Sequence, residues 1–187
     1  MLAQANAPGL QSLANAQSEA SAVAKLLGVA PILDATESDL RSKVKGSKVL
    51  HISAHAELDK FAPLFSAIYL KGDAKYDGRI EAREVYELDL TRGTELVVLS
   101  GCNTASGGNG EDFGVLTRAF FAAGTPRVVA SLWSVDDQAT AFLITTYFAQ
   151  RAKLDNDAEA LRAAMLATRA KYPDPYFWAS FVLSGLP

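Results

Sequence analysis

Three short runs are almost continuously apolar: residues 48–53 (KVLHIS), 95–100 (ELVVLS) and 127–133 (RVVASLW). Strands that face water on one side alternate polar and apolar residues, whereas strands covered on both faces do not. Between these runs the spacing changes to that of helices. Apolar residues recur at Ala20, Val23, Ala24 and Leu27, and helices are predicted over 113–123 (stopped by Gly124), 136–150 and 157–170. Strands bare of charge that alternate with helices predict an α/β fold, a mainly parallel sheet with helices on both faces.

The remaining segments fit this frame. Thr36 opens a short helix, with Asp39 three positions on completing a variant of the capping box. Residues 30–33, 64–70 and 178–183 read as further strands, and 81–86 as one or two helical turns. Residues 1–14, rich in Ala, Asn and Gln, are expected to be a loosely ordered segment ahead of one folded domain over 15–187.

Composition narrows the function classes. The net charge of −3 is spread along the chain without a basic block, which argues against nucleic acid or an anionic membrane as partner. No apolar run approaches the ~20 residues of a membrane span, and the first residues lack the charged and apolar regions of a signal peptide. With one cysteine and two histidines, neither an internal disulfide nor a structural zinc site is expected, nor any cofactor. A reducing cytoplasm is the expected compartment, where a lone cysteine is either an inert small hydrophobe or a nucleophile.

Placement favours the nucleophile. In doubly covered parallel sheets, sites form at the carboxyl ends of strands. His55 lies just past KVLHIS and Cys102 just past ELVVLS, 47 positions apart. An imidazole beside a thiol is the commonest device for deprotonating it. His51 returns to the same strand face as His55 but sits about 13 Å deeper, at ~3.3 Å per residue, and reads as a satisfied core group or one that supports the catalyst, not as the catalyst. The run TASGGNGEDFG after Cys102 lacks the Gly-Lys-Ser/Thr ending of a phosphate loop, and Glu111 and Asp112 already place negative charge there. It reads as a loop beside the nucleophile.

Taken in order, HISAH, ELVVLSGCNTASG, GEDFGVLTRAFFAAGTPRVVASLWSVDDQAT and YFWASFVLSG resemble the successive blocks of the CHAT domain. These are caspase-like domains, related to separase and often attached to TPR repeats. The resemblance runs from about Ser18 to Gly185. It implies a caspase-like three-layer sandwich and a thiol protease in which His55 and Cys102 form a Cys-His dyad. The backbone N–H groups of Ala56 and Cys102 would then form the oxyanion hole, and the partner would be a protein or peptide substrate. One departure matters. The family usually has Gly directly after the catalytic histidine, and alanine there resists positive φ at roughly 1–2 kcal/mol. A catalytically weak module that binds peptides or partner proteins is therefore the alternative.

The stretch SLWSVDD resembles the part of separase where an acidic residue helps to bind a basic P1 side chain. By that likeness Asp136 or Asp137 lines an S1 pocket, and the backbone of Trp133 and Ser134 pairs with the substrate as an added strand. Read from the residues alone, Asp136 and Asp137 are equally an N-cap and a first-turn charge on the helix that follows.

Overall fold

Residues 96–100 are buried on both sides, and this decides the architecture. The computed structural model describes residues 1–100 and 114–186. Cys102, the Gly-rich stretch after it and the expected helix start at Phe113 lie outside the described residues. The first half of the chain runs β1 (Leu2–Gln4), α1 (Ala16–Leu27), β2 (Ile32–Leu33), α2 (Glu37–Lys43), β3 (Val49–Ala54), β4 (Ala56–Glu57), β5 (Ala67–Tyr69), β6 (Arg79–Glu81) and α3 (Ala82–Val85). The second half runs β7 (Leu96–Ser100), α4 (Gly114–Ala123), β8 (Arg127–Ser131), α5 (Asp137–Arg151), α6 (Asp157–Lys171), α7 (Pro175–Trp178) and β9 (Phe181–Gly185).

Six strands form the central sheet in the order β2-β1-β3-β7-β8-β9, parallel throughout except for the last pair. Side chains alternate between two cores, as the two-residue period of a strand requires. Leu50, Ile52, Val97, Leu99, Val128 and Ala130 join the core under α2, α3 and α4. Leu96, Val98 and Val129 join the core under α1, α5 and α6, with Leu143, Tyr147, Phe148 and Leu161. The result is the expected three-layer sandwich.

Local chemistry explains most boundaries. The Thr36 side chain accepts from the Asp39 N–H while Asp39 accepts from the Thr36 N–H, closing the capping box at the head of α2. Asp136 caps α5 by accepting from the Ala139 N–H at 2.8 Å.

Three expectations are corrected. Residues 1–14 are not uniformly loose: Leu2–Gln4 is a buried strand between β2 and β3, with Leu2 opposite both Ile32 and Ile52. Three residues are too few to show a period, so nothing in the sequence pattern marks this strand. The stretch 64–70 begins with a 3₁₀ turn over Pro63–Phe65 and reaches extended backbone only at Ala67. The final strand starts at Phe181, because Asp174 caps the Tyr176 N–H and Pro175 occupies the first helical position, turning Pro175–Trp178 into a short helix.

Gly124 ends α4 at φ +114, and a Cβ there would lie 2.6 Å from Thr91 Cγ2 and 2.8 Å from Thr91 N. Gly124→Ala is expected to lower stability by about 2–4 kcal/mol, from backbone strain and overpacking together. Chemical denaturation of the variant beside the parent measures it; an unchanged midpoint would refute this account.

Candidate functional site

The candidate residues His55 and Cys102 follow the carboxyl ends of β3 and β7 in the sequence. These strands are in parallel register, His51 opposite Val98 and Ser53 opposite Ser100. By alternation His51, Ser53 and His55 belong to the α1/α5 side of the sheet. His51 confirms this, since its ring meets Phe148 of α5 edge-on, with centroids 5.6 Å apart.

His55 is the first residue beyond β3 and is 1% exposed. Neither of its ring nitrogens has a hydrogen-bond partner among the described residues. Burial lowers its pKa below the ordinary 6.5. The backbone of Gln11, the Asp137 carboxylate and the backbone of Ala5 act in the opposite direction and do not outweigh burial. The ring is therefore neutral at neutral pH, the form that can accept a proton. These same groups locate it: the chain between β1 and α1, and the head of α5, both lie beside His55.

Ala56 turns the chain out of the central sheet into a second sheet of order β4-β5-β6. Its backbone is not strained, because the only non-glycine residue with positive φ among the described residues is Asp34. The penalty expected for alanine at this position is not incurred in this conformation. Tyr69 N–H donates to His55 O at 2.8 Å, and Ala56 lies opposite Ile68. Antiparallel pairs alternate between hydrogen-bonded and non-bonded, so the 56/68 pair is of the non-bonded kind. The Ala56 N–H thus points away from β5, on the side of β4 that pairs with no strand among the described residues. A recess of about 450 Å³ is lined by Glu57 of β4, by Leu58, Asp59, Lys60 and Phe61 just after it, and by Arg79 of β6.

The residues of SLWSVDD lie between β8 and α5. Trp133 donates its indole N–H to Tyr176 O at 3.1 Å, and it and Ser134 are half-buried. Asp136 serves as the N-cap already described. Asp137 accepts from both the backbone N–H and the side-chain amide of Asn15, at 2.8 and 2.9 Å. Both aspartates thus hold the structural roles that their positions permit, and Asp137 also lies near enough to His55 to favour a charged ring.

His51 is a buried, hydrogen-bonded core residue. Its Nε2 lies 2.8 Å from Glu19 Oε1 and 3.0 Å from Ser100 Oγ, and the Ser100 hydroxyl donates to the same Glu19 oxygen. Glu19, Ser100 and Asn15 were not singled out from the sequence. Glu19 had a readable signal, a charge four positions before Val23 on the otherwise apolar stripe of α1. Groups of His, Cys, Asp and Glu able to hold a metal ion are absent among the described residues. No helix among them is long and apolar enough to cross a membrane.

Comparison with known proteins agrees with this architecture. The sequence matches the CHAT domain over residues 2–186. It is 32% identical over 101 residues to tetratricopeptide repeat protein 28 of Mus musculus, a match covering 52% of this chain and 4% of that protein. The fold superposes on the Arg-specific cysteine proteinase gingipain R with a TM-score of 0.62 at 13% identity, covering all of this chain and 45% of the other. The caspase-like fold is shared with that proteinase, and the chain spans less than half the length of either protein.

Burial of neutral His55 has a consequence for stability. The unfolded chain takes up a proton at this histidine as pH falls through about 6.5, while the folded ring resists it. The His55 contribution is fully present above that value and is lost as pH falls below it, until the folded ring itself titrates. Denaturation midpoints between about pH 7 and pH 5 should fall more steeply for the parent than for His55→Gln. Equal slopes would show that His55 is not buried in its neutral form.

Proposed function

Because the chain belongs to the CHAT domain family, we propose that it is a caspase-like cysteine endopeptidase with Cys102 as nucleophile and His55 as its base. The observation that carries this reading is the register of β3 on β7. Ser53 lies opposite Ser100, and in the sequence His55 and Cys102 each follow two positions after these paired residues. The two strands that lead to these residues are neighbours ~4.8 Å apart, and an imidazole beside a thiol is the usual device for activating it.

In this mechanism neutral His55 accepts the Cys102 thiol proton, and the thiolate attacks the scissile carbonyl carbon. The carbonyl electrons move onto oxygen, where the N–H groups of Ala56 and Cys102 hold the charge. Collapse of this intermediate breaks the C–N bond, and His55 returns its proton to the leaving amine. Water, deprotonated by His55, then cleaves the thioester and restores the thiol. The outward N–H of Ala56 supports its part, and so does the absence of positive φ there. The edge of β4, which pairs with no strand but β5 among the described residues, suits an extended peptide.

The negative charges of Asp136 and Asp137 beside the His55 end of the sheet favour a basic P1 side chain, with the Trp133 and Ser134 backbone alongside it. That the structurally similar gingipain is Arg-specific supports the same preference. The mouse relative is a tetratricopeptide repeat protein, so we place this domain beside such repeats, or under a regulatory partner, in a reducing cytoplasm. One observation favours a second reading, a weak or inactive module that binds peptides: His55 is 1% exposed, which closes it to a substrate in this conformation.

An acyloxymethyl ketone ending in Arg or Lys should alkylate Cys102 in the parent, detected by mass, and at least ten times more slowly in His55→Ala. A folded parent that forms no adduct would instead support the second reading. Ala56→Gly should leave turnover within about threefold, since alanine is unstrained here, whereas Ala56→Pro removes the outward N–H at an edge position and should cost about 10²–10³. A large gain in Ala56→Gly would mean that alanine mis-aims the oxyanion hole after all.

A further inference from the structure

Beneath the strand ends lies a buried polar cluster that the mechanism above does not use. Glu19 is 3% exposed, His51 0% and Ser100 1%. Each comes from a different element: Glu19 from the first turns of α1, His51 from β3 and Ser100 from the end of β7. One oxygen, Glu19 Oε1, takes both contacts, from His51 Nε2 at 2.8 Å and from the Ser100 hydroxyl. A carboxylate only accepts, so His51 Nε2 carries the hydrogen. His51 Nδ1 has no partner among the described residues, and the ring is held against Phe148 instead.

The placement of the three groups relates them to the proposed dyad. Ser100 stands two residues before Cys102, and His51 four residues before His55 on the same strand face. A cluster that joins these side chains across β3 and β7 ties together the two strands that end in the reacting groups. The carboxylate also ties both strands to α1, and the chain leading into α1 passes beside His55. An apolar core would bury the same surface with no polar group to satisfy. Buried polar groups with fixed partners define one arrangement of neighbouring elements, where apolar packing tolerates several.

We propose that Glu19, His51 and Ser100 are positioning residues that set the spacing between His55 and Cys102 by locking the ends of β3 and β7 to α1. This rests on the dyad reading above. Reacting groups displaced by about 1 Å can lose about 10²-fold in rate, so a lock within the strands below the site acts on rate more than on substrate affinity.

The chain has a single cysteine, so the alkylation rate of Cys102 by iodoacetamide reports the dyad without any substrate. In the parent, His55→Ala should slow this rate; a parent with no dependence on His55 overturns the dyad reading, and the positioning role with it. Given that dependence, Ser100→Ala, which deletes one oxygen, should slow alkylation about tenfold at an unchanged thermal midpoint and lower kcat with KM within about twofold. Glu19→Gln keeps an acceptor oxygen of the same reach and should stay within about threefold of the parent, whereas Glu19→Met should match or exceed the loss in Ser100→Ala. If Glu19→Met does not fold, Ser100→Ala decides. Folded Ser100→Ala at the parent's rate, or Glu19→Gln as slow as Glu19→Met, would overturn the proposal.

Discussion

Burial of β3, β7 and β8 on both faces is the constraint from which the remaining structure follows. With Val97 and Leu99 in one core and Leu96 and Val98 in the other, a polar side chain without a partner is costly on either face. A slip of one residue would exchange the two faces and carry Ser100 and His51 into the apolar core under α4. Register is therefore strongly determined, and with it which residues emerge at the carboxyl ends of the strands. Two positions on from the paired Ser53 and Ser100, the count reaches the only cysteine and one of the two histidines.

What happens at the strand end depends on the next residue. The backbone leaves the central sheet after Ala54, and the small second sheet takes it up at once. This change of partner directs the Ala56 N–H outward, since Tyr69 already holds the His55 carbonyl and the alternation of antiparallel bonding does the rest. Alanine suffices because the turn is made with extended backbone. Positive φ would favour glycine there, and this chain does not adopt it.

The central strands were legible because their signal is redundant: continuous apolar residues, no charge, and turn residues at either end. Caps were legible for the same reason, Thr36 and Asp39 being spaced for reciprocal bonding whatever surrounds them. Strand β1 was not legible. Its three residues acquire strand geometry from β2 and β3, which lie about thirty and fifty positions away, and short-range pattern carries no trace of such contacts. The site divides along the same line. His55 was singled out through its place after a strand and Ala56 through the family resemblance, whereas the bonds of Asp137 to Asn15 and of Glu19 to Ser100 join residues far apart in sequence. Only Glu19 left a local mark, a carboxylate on the buried stripe of a helix.

Two buried carboxylates show how differently this chain uses the same group. Asp157, at the head of α6, has Arg127 Nη1 2.7 Å from one oxygen, a charge contact, and takes hydrogen bonds from Arg151 and the Tyr147 hydroxyl on the other. Arginine is always charged, so that pairing holds at any ordinary pH and fastens α5 and α6 to β8. Burial and the Asp157 charge push the Tyr147 hydroxyl far above its ordinary pKa, which keeps it a donor. Glu19 is matched instead with a histidine and a hydroxyl, and no arginine or lysine pairs with it among the described residues. Such partners give less attraction than two guanidinium groups and demand more exact placement, because each offers a single hydrogen in one direction. A carboxylate needed only for stability is better served by the Asp157 arrangement. The Glu19 arrangement trades strength for geometry, and it does so between the two strands whose ends lead to His55 and Cys102.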